Sequence, residues 1–293
     1  MKDGKIYFLM VLTALFWAGA FIAAKLSSPY IPAFTLTFLR FLIATLVLYV
    51  VILIKEKSLY KLKKKDIPVF LFTGIVGMVG YHIFFFTSVK YTTAINSSII
   101  GASNPIITTI LCFLFLREKI SFKRFIGIII SFTGVFLTIT NGDLSSLGNI
   151  NLNKGDLIML LAVLCWASYA VYSKKVMPLY SPIVLTFYSF LFCTLFLVPF
   201  VIYENPISSL SNVPYYAYAA VVYMSIFASV IGYFVQQMAI KQIGPSKTSI
   251  FINLVPVFSI ILSVIILKET VTIMKIFAAG LIIIGVYICQ KSN

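Results

Sequence analysis

The amino-acid sequence predicts an all-α polytopic membrane protein, with ten transmembrane helices arranged as two inverted five-helix repeats and both termini in the cytoplasm. Three observations carry this expectation. The 293 residues are 61% hydrophobic and only 11% charged, with a mean hydropathy of +1.05; soluble domains are about half apolar and about a quarter charged. The apolar residues fall in ten runs, each long enough for a tilted helix to cross a hydrocarbon core of about 30 Å. The chain also matches itself at offsets of 149 and 151 residues. Spans of about 20 residues each leave no length for a separate soluble domain. The ~10-residue alternating segments of a membrane β-barrel are missing.

Span 1, Ile6–Lys25, follows Lys2 and Lys5 and mimics a secretory signal, with Ala18-Gly19-Ala20 as a cleavage site. The same pattern returns around Trp166, deep in the chain, so the segment is read as an uncleaved span. Span 2, Ala33–Ile54, carries Arg40 seven residues from its outer end. That is about 10 Å of helix, within snorkelling reach of the headgroups. Span 3, Ile67–Ser88, holds three glycines and His82, the sole histidine. Span 4, Thr93–Leu116, is interrupted by Pro105, and span 5, Phe122–Thr140, closes the first repeat. The repeats are expected over residues 1–141 and 155–293, joined by an extracytoplasmic linker at 142–154. Span 6, Gly155–Lys174, carries Trp166 and Tyr169, and span 7 is Pro182–Tyr203. Span 8, Pro214–Ala239, contains the amides Gln236 and Gln237. Span 9, Ser246–Leu267, contains Pro256, and span 10 is Thr272–Gln290.

Charge fixes the expected orientation. Of the 23 Lys and Arg, 17 fall on the side of the termini, in loops such as Lys61–Asp66 and Arg117–Arg124, and four on the other side. The positively charged loops belong in the cytoplasm. The formal net charge of +15 therefore reads as a topology signal and not as a nucleic-acid footprint, since aromatic and basic residues do not interleave outside the apolar runs. Cys112, Cys165, Cys193 and Cys289 all lie in apolar runs and read as small hydrophobes.

Leu12-Thr13-Ala14-Leu15-Phe16-Trp17-Ala18 matches Leu161-Ala162-Val163-Leu164-Cys165-Trp166-Ala167. Leu116-Arg117-Glu118-Lys119 matches Leu267-Lys268-Glu269-Thr270, Pro105 matches Pro256, and Gly134 matches Gly285. Five spans per copy is an odd number, so the second copy must enter the bilayer from the opposite face. Inverted repeats are a recurring plan of secondary transporters, which hold substrate near the midplane between the halves.

With these motifs duplicated over the whole chain, the sequence resembles the EamA family of the drug/metabolite transporter superfamily. The resemblance implies a bacterial plasma-membrane carrier, often an exporter of amino acids or related metabolites. It also marks a departure: the small multidrug carriers of that superfamily use a buried glutamate in the first span, and span 1 has none. Its partners would be a small-molecule substrate and the lipid bilayer, and the internal duplication makes oligomerisation unnecessary.

Candidate pathway residues follow from polar groups in apolar helices. Pro105 and Pro256 free the carbonyls of Gly101 and Ile252, which must then meet protein or a wet cavity. Gly101, Pro105 and Pro256 are expected to form helix breaks or gates. Ser97, Gly101, Asn104 and Thr108 share one small and polar face of span 4; Ser249, Asn253, Pro256 and Ser263 do so in span 9. Either face can serve close packing or line a cavity. Asn96, Ser97, Asn104 and Asn253 are read as substrate contacts. Tyr81 and His82, with Tyr233, Gln236 and Gln237 opposite, offer hydrogen-bonding groups that need partners. Trp17, Trp166 and Tyr169 are expected as aromatic cavity walls, against the alternative of an interfacial belt. Lys25 and Lys174 are expected to snorkel, and Glu118 and Glu269 to form structural ion pairs.

The other function classes fare worse. None of the eight acids falls mid-span, so proton coupling through a carboxylate is unsupported, and His82 is the near-neutral titrating group left. A phosphate-binding loop is missing, as are clustered aspartates for a metal-dependent membrane transferase. The expectation is a secondary active exporter working by alternating access, without cofactor, metal or enzymatic activity. A passive channel or facilitator, or an intramembrane enzyme, is the alternative.

Overall fold

The computed structural model describes residues 3–55, 61–117, 121–140, 153–205, 210, 213–243, 248–268 and 270–291. Glu118, Glu269 and residues 142–152 of the expected linker lie outside the described residues. The described chain is helical throughout, with no strand. Its helices are α1 (Asp3–Ser27), α2 (Ala33–Lys55), α3 (Lys64–Tyr91), α4 (Ala94–Leu116) and α5 (Phe122–Thr140). They continue as α6 (Lys154–Val176), α7 (Pro182–Tyr203), α8 (Tyr215–Ile243), α9 (250–267) and α10 (Ile273–Lys291). Seven of them, α1–α4 and α6–α8, are long and apolar enough to cross a membrane; α5, α9 and α10 contribute the shorter apolar stretches Phe125–Gly134, Phe251–Leu267 and Ile273–Gly285. The protein is an all-helical, multi-pass membrane protein.

Helix is the spanning solution because every backbone amide must find its partner within the segment. Side chains close the starts. Thr93 Oγ1 accepts from the Asn96 N–H at 3.0 Å, and Asn153 Oδ1 from the Gly155 N–H at 2.8 Å. Glu204, at the end of α7, reaches across to α2 and accepts from the Thr35 N–H at 2.8 Å and the Thr35 hydroxyl at 2.7 Å. A carboxylate there also meets the positive pole of the helix. Lys25, expected at the headgroups, instead donates to the carbonyls of Val89 (2.8 Å) and Thr92 (2.7 Å). The orphan carbonyls at the end of α3 hold it more strongly than solvent does.

Polarity is inverted relative to a soluble domain. Phe115, Phe122 and Ile273 are largely exposed, while Arg40, His82 and Gln237 are buried. Large apolar side chains face outward because lipid, not water, surrounds them.

Local features recur 151 residues apart. Thr73–Gly80 in α3 and Met224–Ile231 in α8 are both eight-residue π-helical segments, a geometry common near functional sites. Arg117 and Lys268 both end their helices in the left-handed region, at φ 55° and 56°. Gly134 and Gly285 both sit where α5 and α10 touch. A Cβ on the first would come within 2.7 Å of the Ala278 carbonyl, and on the second within 2.5 Å of the Gly127 carbonyl. The packing partners are reciprocal as well: α3 lies on α6 and α7, while α8 lies on α1 and α2; α4 meets α6, while α9 meets α1.

Helix boundaries moved in places. Helix α3 continues to Tyr91, and α8 runs on to Ile243. In α4, where Gly101 and Pro105 were expected to form a helix break, the helix is interrupted at Ala102–Ser103 and restarts at Asn104 with proline in its first turn. Pro105 offers no N–H to the Gly101 carbonyl and its ring crowds that carbonyl, and the Ser103 hydroxyl stabilises the break by donating to the Ile100 carbonyl at 2.7 Å. In α9 the matching stretch Ile250–Asn253 is 3₁₀.

Candidate functional site

The break in α4 and the 3₁₀ start of α9 border a cavity at the centre of the bundle. About 40 Å³ of it is open to the centre of a water molecule. Helices α1 (Trp17, Ala20, Phe21), α2 (Arg40) and α3 (Tyr81, Phe85) form one part of its wall. Helices α4 (Ser98, Gly101, Asn104), α6 (Met159, Val163, Trp166) and α9 (Ile252, Val255) complete it. Residues from both halves of the chain therefore enclose one space.

Aromatic rings set its shape. Trp17 and Trp166 meet edge to face at 5.3 Å, Tyr81 packs on Trp166 at 4.5 Å, and Phe21 on Phe85 at 5.0 Å. Such edge-to-face pairs are mutually stabilising. The Trp17 indole N–H donates to the Ala228 carbonyl at 3.1 Å, inside the π segment of α8. The Trp166 indole N–H is buried and has no partner among the described residues.

Arg40 is the charged residue of the wall. Snorkelling was expected for it; the side chain is instead turned inward and 3% exposed. Its Nε donates to the Ser229 hydroxyl at 2.7 Å, Nη1 lies 3.9 Å from the Met224 sulfur, and the guanidinium stands 5.7 Å from the Phe41 ring centre. The titratable groups around it are Tyr233, Tyr81, Cys193 and His82. No carboxylate is paired with it among the described residues. Burying a cation this way is costly, so the site holds an electrostatic demand that the protein itself leaves unmet. The sequence did carry a signal. An arginine well inside an apolar run is a functional candidate by default, and the snorkelling assumption overrode it.

The predicted residues divide into two groups. Trp17, Tyr81, Gly101, Asn104 and Trp166 line the cavity. His82 sits behind it, with Nδ1 2.8 Å from the Met78 carbonyl and its ring against Phe41 at 4.6 Å. Tyr233 packs on Trp166 at 5.3 Å with its hydroxyl unbonded. Tyr169 accepts from Gln237 Nε2 at 2.6 Å away from the cavity wall, while the Gln237 amide oxygen is buried without a partner among the described residues. Gln236 and Asn253 are buried, each with an unbonded amide oxygen. Asn96 and Ser97 are buried near the start of α4, where the Ser97 hydroxyl lies 3.4 Å from that of Ser88. Pro105 and Pro256 are buried next to the lining and not part of it. On α4 the wall uses Ser98, Gly101 and Asn104, a face one step round from the expected one. Thr108 turns away and bonds Asn104 at 3.1 Å, while Asn104 donates to the Val163 carbonyl at 3.4 Å.

A second cavity, of about 360 Å³, lies between α3, α4 and α6, with Phe72, Leu111, Tyr172 and Lys175 in its wall.

The profile of the EamA-like transporter family matches residues 4–140 and again 153–289. The uncharacterized transporter YyaM of Bacillus subtilis is 31% identical over 98% of this chain and 93% of its own length. An uncharacterized transporter of Archaeoglobus fulgidus is 29% identical over 99% of this chain and all of its own. A protein of Streptantibioticus cattleyicolor, described as a probable terminal-alkyne amino-acid exporter, is 21% identical over 99% of this chain and 95% of its own. Among solved structures, a crystal structure superposes with a TM-score of 0.68 at 19% identity, covering 98% of this chain and 97% of that one; at that identity it shows the fold alone.

Proposed function

The chain belongs to the EamA-like transporter family, and from that premise we propose that it is a secondary active exporter of amino acids or related small metabolites across the bacterial plasma membrane. It is a transporter and not an enzyme, as its family and relatives are. The single observation that carries the reading is the central cavity walled by α1–α4 together with α6 and α9. A site shared between two reciprocally packed halves is what alternating exposure requires.

In this reading all ten helices cross the bilayer, as 1–141 and an inverted 155–293 with an extracytoplasmic linker between them, and both termini face the cytoplasm. The recurrence of π segments, left-handed helix ends and close glycine contacts at one offset supports it, as does the odd number of helices per copy. The halves rock around α3, α4, α8 and α9, whose breaks at Gly101, Pro105 and Pro256 act as hinges. Trp17, Tyr81, Asn104 and Trp166 contact the solute; His82, Asn96, Ser97, Tyr169, Tyr233, Gln236, Gln237 and Asn253 surround and shape that contact layer. The amino-acid class rests on the exporter of Streptantibioticus cattleyicolor. The duplication supplies both walls, so a single chain suffices.

Purified protein in proteoliposomes loaded with radiolabelled amino acids tests this. Saturable, counter-substrate-dependent efflux is expected. Protein of verified fold that moves no amino acid or related metabolite overturns the reading, and non-saturating flux replaces it with a channel.

A further inference from the structure

Resting on that carrier reading, we infer that the solute bears a single carboxylate on an apolar body, held by the Arg40 guanidinium with the Trp166 indole N–H as a second donor. Two independent features meet in the cavity wall. Arg40 presents five N–H donors in a planar fork, of which the structure uses one on Ser229 and sets one against a sulfur. Trp166 is 8% exposed and its N–H has no partner among the described residues. Three other polar side chains of the wall are already engaged: the Ser98 hydroxyl donates to the Ile95 carbonyl at 2.8 Å, the Trp17 N–H to the Ala228 carbonyl, and Asn104 bonds Val163 and Thr108. The cavity thus has a surplus of donors and a positive charge, and it lacks a negative one.

A planar oxyanion accepting two parallel bonds is the natural complement of a guanidinium. The count of charges limits the class further. Arg40 is the lone charged residue of the wall, so a phosphate ester or dicarboxylate would bring a second negative charge into a desolvated site without a partner. The rest of the wall, with Phe21, Phe85, Met159, Val163, Ile252 and Val255, suits an apolar body. A zwitterionic amino acid fits, its ammonium group resting on the faces of Trp17 and Tyr81.

The test compares analogues on the unaltered full-length protein. L-Leucine, L-phenylalanine, 3-phenylpropionate, L-phenylalaninamide, 2-phenylethylamine and phenylsuccinate are each measured for thermal stabilisation in detergent and for inhibition of flux in proteoliposomes. The inference expects stabilisation by leucine, phenylalanine or 3-phenylpropionate, with the amide, the amine and the dicarboxylate without effect. Arg40→Gln should weaken the carboxylate effect on the order of a hundredfold, and Arg40→Lys, which keeps the charge but not the fork, less. Ser229→Ala should keep the carboxylate preference. Equal stabilisation by the amide or the amine, or none by any carboxylate, overturns the inference while flux of another solute leaves the carrier standing. Absence of all flux removes both. Should Arg40→Gln fail to fold, the analogue series on the native protein still decides.

Discussion

Arg40 in α2 and Ser189 in α7 stand 149 residues apart, the same offset that relates Trp17 to Trp166. Each reaches a π-helical segment of the opposite half: Arg40 bonds Ser229, and Ser189 lies 2.8 Å from the Thr73 hydroxyl. The backbone arrangement is shared and the chemistry is not. One copy places a buried cation in the cavity wall; the other has a neutral hydroxyl at the matching position, outside that wall. The same divergence separates His82 from Tyr233, at an offset of 151. Duplication fixes how the helices pack, and the copies part in the side chains that they place on that shared frame.

The sharpest way to break this comparison is to erase the difference. Arg40→Ser, which gives both halves the same residue, is expected to raise the half-saturation concentration for efflux on the order of a hundredfold, with the protein still monodisperse. The reverse experiment, Ser189→Ala, should leave transport within about twofold and lower stability by about 1 kcal/mol at most, read by thermal melting. An equal loss of transport in both variants would mean the halves contribute alike.

Where the copies agree, paired variants should behave alike. Gly134→Val and Gly285→Val each force a side chain against backbone and are expected to cost about 1–3 kcal/mol of stability, with melting temperatures lowered by similar amounts. A strongly one-sided result would show that the two α5–α10 contacts are not equivalent.

A subtler contrast concerns access. Phe72 borders the open second cavity. Its counterpart Tyr223 is folded over Gly19, where an added Cβ would collide with the Tyr223 hydroxyl, and donates to the Phe16 carbonyl at 3.2 Å. In a background without native cysteines, Val171→Cys in the open cavity should react with a small thiol reagent faster than its counterpart Ile22→Cys. The smallest effect is expected for Tyr223→Phe, about 1 kcal/mol or less from loss of one hydrogen bond, with a narrowing of that rate difference.

Much of the architecture was legible because bilayer thickness constrains it. A span must be about 20 residues long and apolar, so helices such as Ala33–Lys55 and Pro182–Tyr203 stand out from the residues alone. Repetition of Trp, Pro and Gly at fixed offsets was equally visible. The π segments were not, since they arise from how α3 and α8 are pressed against the other half and no residue pattern announces them. The cavity wall was half legible. Trp17, Trp166, Gly101 and Asn104 declared themselves as misfits in apolar helices. Arg40 was misjudged because depth along a helix does not reveal which way its side chain turns; that is decided by Ser229, far away in sequence. Gln237 was legible as an amide in need of partners and Tyr169 as an aromatic wall, but the bond between them, 68 residues apart in sequence, was not.

The reciprocal packing of α3 on α6 and α7, and of α8 on α1 and α2, makes the molecule an interlocked pair. Each copy's third helix rests mainly on helices of the other copy, so a lone five-helix fragment would leave that side of the helix facing lipid. Integrity therefore belongs to the couple and not to either member, and whatever loosens one clasp must be felt in the other.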